Sequence, residues 1–91
     1  MLALVTLPKL KSLDLASNRL QNPKVFPDII DAYPSVQSIS LATNGLQGQF
    51  IVKRNNSSIK EINMQGNRLT LMVLEGNFPK LKKIQMAVNV L

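Results

Sequence analysis

Val36-Gln37-Ser38-Ile39-Ser40-Leu41-Ala42-Thr43-Asn44-Gly45-Leu46 sets the pattern from which the rest of the chain can be read. Its apolar residues stand at the first, fourth, sixth and eleventh places, with an asparagine at the ninth. The arrangement L-x-x-L-x-L-x-x-N-x-L returns from Leu10 to Leu20, from Ile59 to Leu69 and from Leu81 to Leu91. Aligned, the copies give columns: Leu10, Val36, Ile59, Leu81; then Leu13, Ile39, Ile62, Ile84; then Leu15, Leu41, Met64, Met86. The asparagine column is Asn18, Asn44, Asn67, Asn89, and the last is Leu20, Leu46, Leu69, Leu91. Successive copies start 26 (36 − 10), 23 (59 − 36) and 22 (81 − 59) residues apart.

This pattern and spacing resemble the leucine-rich repeat. The x-x-L-x-L core alternates with period two, which reads as a short strand with one buried face. One repeat cannot cover its own apolar face, so copies stack into a parallel sheet over a continuous core. The asparagine falls where the chain turns away from the strand. Its amide offers a donor and an acceptor to backbone groups that would otherwise be buried unpaired, so neighbouring asparagines form a ladder. The expected fold is α/β: a leucine-rich repeat solenoid of about four repeats, with a parallel concave sheet and a convex side of helix and loops. Residues 1–91 read as one such domain, with repeats starting near 10, 36, 59 and 81, and as a piece of a larger protein because the chain stops on a consensus leucine without a polar cap.

Proline punctuates the approach to three strands, in Leu7-Pro8-Lys9-Leu10, Tyr33-Pro34-Ser35-Val36 and Phe78-Pro79-Lys80-Leu81. The third repeat has Asn56-Ser57-Ser58-Ile59 there instead. The longest return segment, Pro27 to Tyr33, fits a helix: Pro27 and Asp28 suit a first turn, and Phe26, Ile29, Ile30 and Tyr33 recur at helical spacing. Gln49 to Asn56 reads as an irregular connection anchored by Phe50 and Val52. Met72 to Asn77 reads as one helical turn stopped at Gly76. Met1 to Leu7 is apolar but too short for a signal peptide or membrane span, and reads as the tail of a preceding repeat or a cap.

Composition narrows the chemistry. Without Cys or His there are no disulfides, thiolate nucleophiles or imidazole bases, and the usual metal ligands are missing. Extracellular leucine-rich repeats usually carry cysteine-stapled caps, so this one reads as intracellular, and the sequons in Asn55-Asn56-Ser57-Ser58 carry little weight. The acids Asp14, Asp28, Asp31, Glu61 and Glu75 are scattered. Asp14 and Glu61 fall in different columns two repeats apart, a spacing of solvated surface rather than an acid/base pair. The glycines follow no phosphate-loop spacing. The chain reads as no enzyme, with no catalytic residue, no metal and no cofactor.

Recognition should fall to the non-consensus strand residues, which alternate away from the core. Their columns are Lys11, Gln37, Lys60, Lys82; then Ser12, Ser38, Glu61, Lys83; then Asp14, Ser40, Asn63, Gln85. Beyond lie Ala16, Ala42, Gln65, Ala87 and Ser17, Thr43, Gly66, Val88. One flank is basic, the middle polar, the other flank small. Arg19 and Arg68, each after a ladder asparagine, add charge at the rim. With a net charge of +6, Lys11, Lys60, Lys82, Lys83, Arg19 and Arg68 form a candidate surface for phosphates or acidic partners. The plain alternative is that lysines keep a parallel sheet soluble.

Leu7-Pro8-Lys9-Leu10-Lys11-Ser12-Leu13-Asp14-Leu15-Ala16-Ser17-Asn18-Arg19-Leu20 resembles the opening repeat of the TAP-type nuclear RNA export factors. The following step, with its helix ending at Tyr33-Pro34-Ser35-Val36, is similar to theirs in length. Ile59 to Asn67 resembles their third repeat, and Phe78-Pro79-Lys80-Leu81 the lead into their fourth. The resemblance covers most of the chain and implies a nuclear protein that shuttles to the cytoplasm. In that family the repeats follow an RNA-recognition module, act with it on RNA and also contact protein adaptors; some paralogues serve nuclear silencing of transposons. The implied partners are RNA, held weakly through its phosphates, protein adaptors and other domains of the parent chain, with no membrane. The shorter third return segment and the abrupt end depart from the family. The competing reading is a protein-binding scaffold from another intracellular leucine-rich repeat protein.

Overall fold

The computed structural model describes residues 7–21 and 24–90. Within them lie β1 (Ser12–Asp14), α1 (Val25–Ala32), β2 (Ser38–Ser40), β3 (Gln47–Val52), β4 (Glu61–Asn63), β5 (Arg68–Leu74) and β6 (Lys83–Gln85). The strands of the repeated motif form one parallel sheet in the order β1-β2-β4-β6. Its register is the alignment of the copies. Leu13, Ile39, Ile62 and Ile84 face one another across the sheet, as do Ser12, Ser38, Glu61, Lys83 and Asp14, Ser40, Asn63, Gln85.

The core lies behind this sheet. Val36, Ile39, Leu41, Leu46, Ile59, Ile62, Met64 and Leu69 are buried there with Phe26, Ile29 and Ile30 from α1 and Phe50 and Val52 from β3. Phe26 meets Phe50 edge-to-face, with ring centroids 5.0 Å apart, a favoured aromatic geometry. Burial is deepest in the middle of the stack: Ile39 and Ile62 are 1% exposed, whereas Ile84 on the outer strand is 38% exposed. The helix begins at Val25, two residues before the expected start. It keeps Asp28 in its first turn, and the Tyr33 N–H closes it on the Ile29 carbonyl at 3.0 Å.

Two return segments differ from the sequence reading. Gln49 to Asn56 is not irregular throughout, because Gln47–Val52 is a strand. Met72 to Asn77 holds no helical turn: its first part belongs to β5, and β3 and β5 pair in parallel as a second sheet. The back of the molecule is therefore a helix beside a strand pair, not helix and loops alone. Residue count explains the difference. The return that carries α1 belongs to the 26-residue step, whereas β3 and β5 lie in the steps of 23 and 22 residues. An extended chain advances about 3.3 Å per residue against about 1.5 Å in a helix, so the shorter steps cover the same back surface only as strands. Gly76 does not stop a helix either. It lies against the backbone of Arg54 and Asn55, where an added Cβ would collide with the Arg54 carbonyl.

The punctuating turns share one hydrogen bond. The amides of Leu10, Val36 and Leu81 donate to the carbonyls three residues earlier, on Leu7, Tyr33 and Phe78, each at 3.1 Å. In the third repeat the Ile59 amide donates instead to the side-chain Oδ1 of Asn56, at 2.8 Å, and the Ser58 amide joins it at 2.8 Å. A side-chain carbonyl thus does the work of a backbone one, as in an Asx turn, which is why this repeat dispenses with proline.

The asparagine ladder is present. Asn44 Oδ1 accepts from the amides of Asn18 (2.7 Å) and Leu20 (3.3 Å), while its Nδ2 donates to the carbonyls of Leu15 and Ala42. Asn67 Oδ1 accepts from the amides of Asn44 and Leu46, both at 3.0 Å, and its Nδ2 donates to Leu41 and Met64. Asn89 repeats the geometry on Leu69, Met64 and Met86. Met1 to Thr6, most of the segment read as a tail or cap, and Leu91, the end of the last consensus column, lie outside the described residues. Among the described residues no helix is long and apolar enough to cross a membrane.

Candidate binding face

Strict alternation cannot turn both Lys11 and Ser12 away from the core, yet both are exposed. The backbone resolves this at the entry to each strand. The carbonyl of Lys11 accepts two successive amides, those of Gln37 (2.7 Å) and Ser38 (3.1 Å). The carbonyl of Gln37 does the same for Lys60 and Glu61, and that of Lys60 for Lys82 and Lys83. Two donors sharing one acceptor compress the ladder locally, so two neighbouring side chains emerge on one face before alternation resumes.

The outward columns therefore stand as the alignment places them. Lys11 and Lys82 are exposed, Gln37 and Lys60 half-buried, and Lys83 continues the basic corner in the next column. Adjacent strands lie about 4.8 Å apart, so the row from Lys11 to Lys82 crosses three spacings, or roughly 14 Å. The proline turns add two lysines that the strand pattern did not single out. Lys9 and Lys80, both exposed, each sit two residues before a row lysine, at the same end of the sheet. Their signal in the sequence was the shared Pro-Lys-Leu, which a reading confined to strand columns passes over.

The middle of the face is polar. A shallow depression of about 130 Å³ runs over β2, β4 and β6, lined by Ser38, Ser40, Glu61, Asn63, Lys83 and Gln85. Two of the outward polar groups are turned back on their own strands: Asp14 Oδ1 accepts from the Ala16 amide at 2.9 Å, and Asn63 Oδ1 from the Gln65 amide at 3.0 Å. Asp14 and Glu61 stand two strands and two residues apart in register, about 12 Å by standard sheet spacings. They cannot share a proton or flank one reacting bond.

The arginines do not join the lysines. Arg19 and Arg68 lie past the asparagine turns, beyond the opposite ends of the strands, and Arg68 is the first residue of β5 on the back of the molecule. From a row lysine to the turn five residues on is roughly 16 Å of extended chain. The six cations thus separate into a lysine group, Lys11, Lys60, Lys82 and Lys83, and two distant arginines. Ser17, Thr43, Gly66 and Val88, the small flank, all adopt left-handed backbone, with φ of 61°, 54°, 73° and 58°. The geometry of the turn accounts for the glycine of this column: a Cβ on Gly66 would press on Thr43 Oγ1 at 3.0 Å.

The family model for the Leucine Rich Repeat matches residues 9–31, which hold β1, its asparagine turn and most of α1. No curated protein and no solved structure matches the chain. Leucine-rich repeats are generally binding modules rather than catalysts, and mediate contacts between proteins. The chain carries a leucine-rich repeat, and its parallel sheet with one helix among the described residues is compatible with the leucine-rich repeat α/β fold.

Proposed function

We propose that this chain is the binding module of a nuclear RNA export factor-like protein, a four-repeat solenoid that holds RNA weakly through its phosphates and engages protein adaptors. The observation that supports it best is the gathering of Lys9, Lys11, Lys60, Lys80, Lys82 and Lys83 at one end of the parallel strands, with Glu61 the acid in the adjoining column. No aromatic side chain lies on the strands of this sheet: Phe26, Tyr33 and Phe50 are buried in the core and Phe78 packs against it. Base stacking, the usual way to read single strands, is therefore absent from the face. Charge alone positions a phosphate chain and carries little sequence information. On this reading other domains of the parent chain supply specificity, and the protein works in the nucleus and shuttles to the cytoplasm.

The test is salt dependence. Each phosphate neutralised on single-stranded RNA contributes about −0.7 to the slope of log affinity against log salt, so three or four engaged lysines give roughly −2 to −3. Lys60→Glu with Lys82→Glu should flatten that slope and weaken binding while the chain stays folded, since both side chains reach solvent. An unchanged slope would leave the lysines as a solubilising surface. The alternative is then the better reading: a protein-interaction scaffold of another intracellular protein, or a paralogue used in transposon silencing. The polar depression around Ser38, Ser40 and Asn63 favours this reading, because it offers neutral donors and acceptors to a peptide backbone.

A further inference from the structure

We propose that the outer edges of β1 and β6 fit one another, so that a second copy of this chain stacks on the first head to tail. The interfaces inside the sheet define what such an edge must offer. Between β2 and β4, the Gln37 carbonyl accepts the amides of Lys60 and Glu61. The amides of Leu41 and Thr43 donate to the carbonyls of Asn63 and Gln65, and the Asn44 amide donates to Asn67 Oδ1. The β1–β2 interface repeats this set, and the β4–β6 interface repeats its backbone bonds. At the outer edge of β6 one half of the set is unused. The Lys82 carbonyl and the amides of Met86, Val88 and Asn89 have no partner among the described residues. The opposite edge of the sheet is β1, and it holds the other half. In the places of the Lys60 and Glu61 amides and the Asn63 and Gln65 carbonyls stand the Lys11 and Ser12 amides and the Asp14 and Ala16 carbonyls. In the place of Asn67 Oδ1 stands Asn18 Oδ1, which accepts nothing among the described residues.

An open edge is a template for any strand, but this pair of edges asks for a particular one. The Lys82 carbonyl faces the Lys11 and Ser12 amides, the Met86 and Val88 amides face the Asp14 and Ala16 carbonyls, and the Asn89 amide faces Asn18 Oδ1. Donors meet acceptors throughout, in the register that the sheet already uses. The side chains agree. Leu10, Leu13 and Leu15 are half-buried, whereas Val36, Ile39 and Leu41 are at most 1% exposed, and Ile84 is 38% exposed. Stacking sets Leu13 beside Ile84 and Leu15 beside Met86, and so continues the apolar columns from one copy into the next. The one like-charge pair it creates, Lys11 beside Lys82, repeats the Lys60–Lys82 adjacency inside the chain. A head-to-tail contact leaves an open edge at each end, so association does not close at a dimer. With a charge of +6 on each chain, repulsion opposes the contact, and salt, which screens exposed charges, favours it. A phosphate-binding face depends on salt in the opposite sense, so stacking and RNA binding fail separately.

Sedimentation equilibrium of the 91-residue chain tests this. The average mass should rise from about 10 µM to about 1 mM, the range that reports a weak contact, should pass beyond two chains, and should rise further with added salt. Ser12→Pro removes an outward amide at the first residue of an edge strand, a place that proline tolerates, and blocks the β1 edge. Ile84→Lys puts a charge in the middle of β6 and blocks the other edge. Each variant alone should be monomeric. An equal mixture should form a heterodimer and stop there, because Ser12→Pro keeps its β6 edge and Ile84→Lys its β1 edge. Circular dichroism checks the fold, and Leu13→Lys or Met86→Lys replaces a variant that fails to fold. A parent chain that stays monomeric throughout this range overturns the proposal, as does a mixture that does not associate. So does association that either variant retains alone, because like edges or another surface would then make the contact.

Discussion

Replacing Asn67 with alanine tests the ladder where it is driest. The Asn67 side chain is 5% exposed. Its Oδ1 is the acceptor for the Asn44 and Leu46 amides at 3.0 Å, both in buried surroundings. Its Nδ2 serves the carbonyls of Leu41 and Met64. Alanine removes all of these, together with the longer bond from Nδ2 to the Gln65 carbonyl at 3.4 Å. Met64 keeps the bond from Asn89 Nδ2 at 3.0 Å, so that carbonyl is not orphaned. The two amides are. At about 1–3 kcal/mol for each buried donor left unsatisfied, Asn67→Ala should cost about 2–6 kcal/mol. Asn44→Ala also strips two amides, but Asn18 is exposed and Leu20 half-buried, and the Leu15 and Ala42 carbonyls keep bonds from Asn18 Nδ2 and the Ser17 amide. Water can replace part of what is lost, and the cost should fall to about 1–3 kcal/mol. A small domain holds roughly 5–15 kcal/mol in all, so both changes are within reach of urea denaturation followed by circular dichroism. If Asn44→Ala costs as much as Asn67→Ala, or both lie within about 0.5 kcal/mol of the parent, the argument that buried amides depend on the ladder is wrong.

Leu41→Ala, which empties a fully buried site, should cost about 2–5 kcal/mol, while Ile84→Ala on the half-exposed outer strand should cost less; denaturant midpoints compare them. Asn56 uses only its oxygen in the proline-free turn, so Asn56→Asp should stay close to neutral while Asn56→Ala loses about 1–2 kcal/mol, measured in the same way. Val88 is a β-branched residue held at φ 58°, and Val88→Asn should stabilise by about 1 kcal/mol because asparagine tolerates left-handed backbone; in a domain this small, calorimetry should show a rise of roughly 4–8 °C. Hydrogen exchange should find the amides of residues 37–41 better protected than those of residues 82–86, following the burial gradient across the sheet; equal protection would contradict it.

The sheet was legible because everything that fixes it is local and repeated. Leu13, Ile39, Ile62 and Ile84 occupy the same place in each copy, and parallel stacking turns that alignment directly into register. The ladder asparagines and the outward lysines followed from the same columns. The back was not legible. Gln47–Val52 and Arg68–Leu74 share no motif, and each becomes a strand by pairing with the other across some twenty residues of sequence, in steps too short for a helix. Gly76 marks a close approach to Arg54 that no neighbouring residue announces. The candidate face was read in part: Lys11, Lys60, Lys82 and Lys83 come together, whereas Arg19 and Arg68 were carried to the other side of the turn by a change of chain direction that a column of letters does not display.

The ladder also gives the stack a polarity. Each asparagine oxygen reaches back to amides of the preceding turn: Asn44 to Asn18 and Leu20, Asn67 to Asn44 and Leu46, Asn89 to Leu69. Peeling away the first turn leaves the Asn44 oxygen idle, while its Nδ2 keeps the Ala42 carbonyl and its own amide is still held by Asn67. Peeling away the last turn takes Asn89 from Leu69 and leaves a bare donor behind. The two directions of unzipping are therefore unequal, and a graft or truncation that cuts after an asparagine is gentler than one that cuts before it.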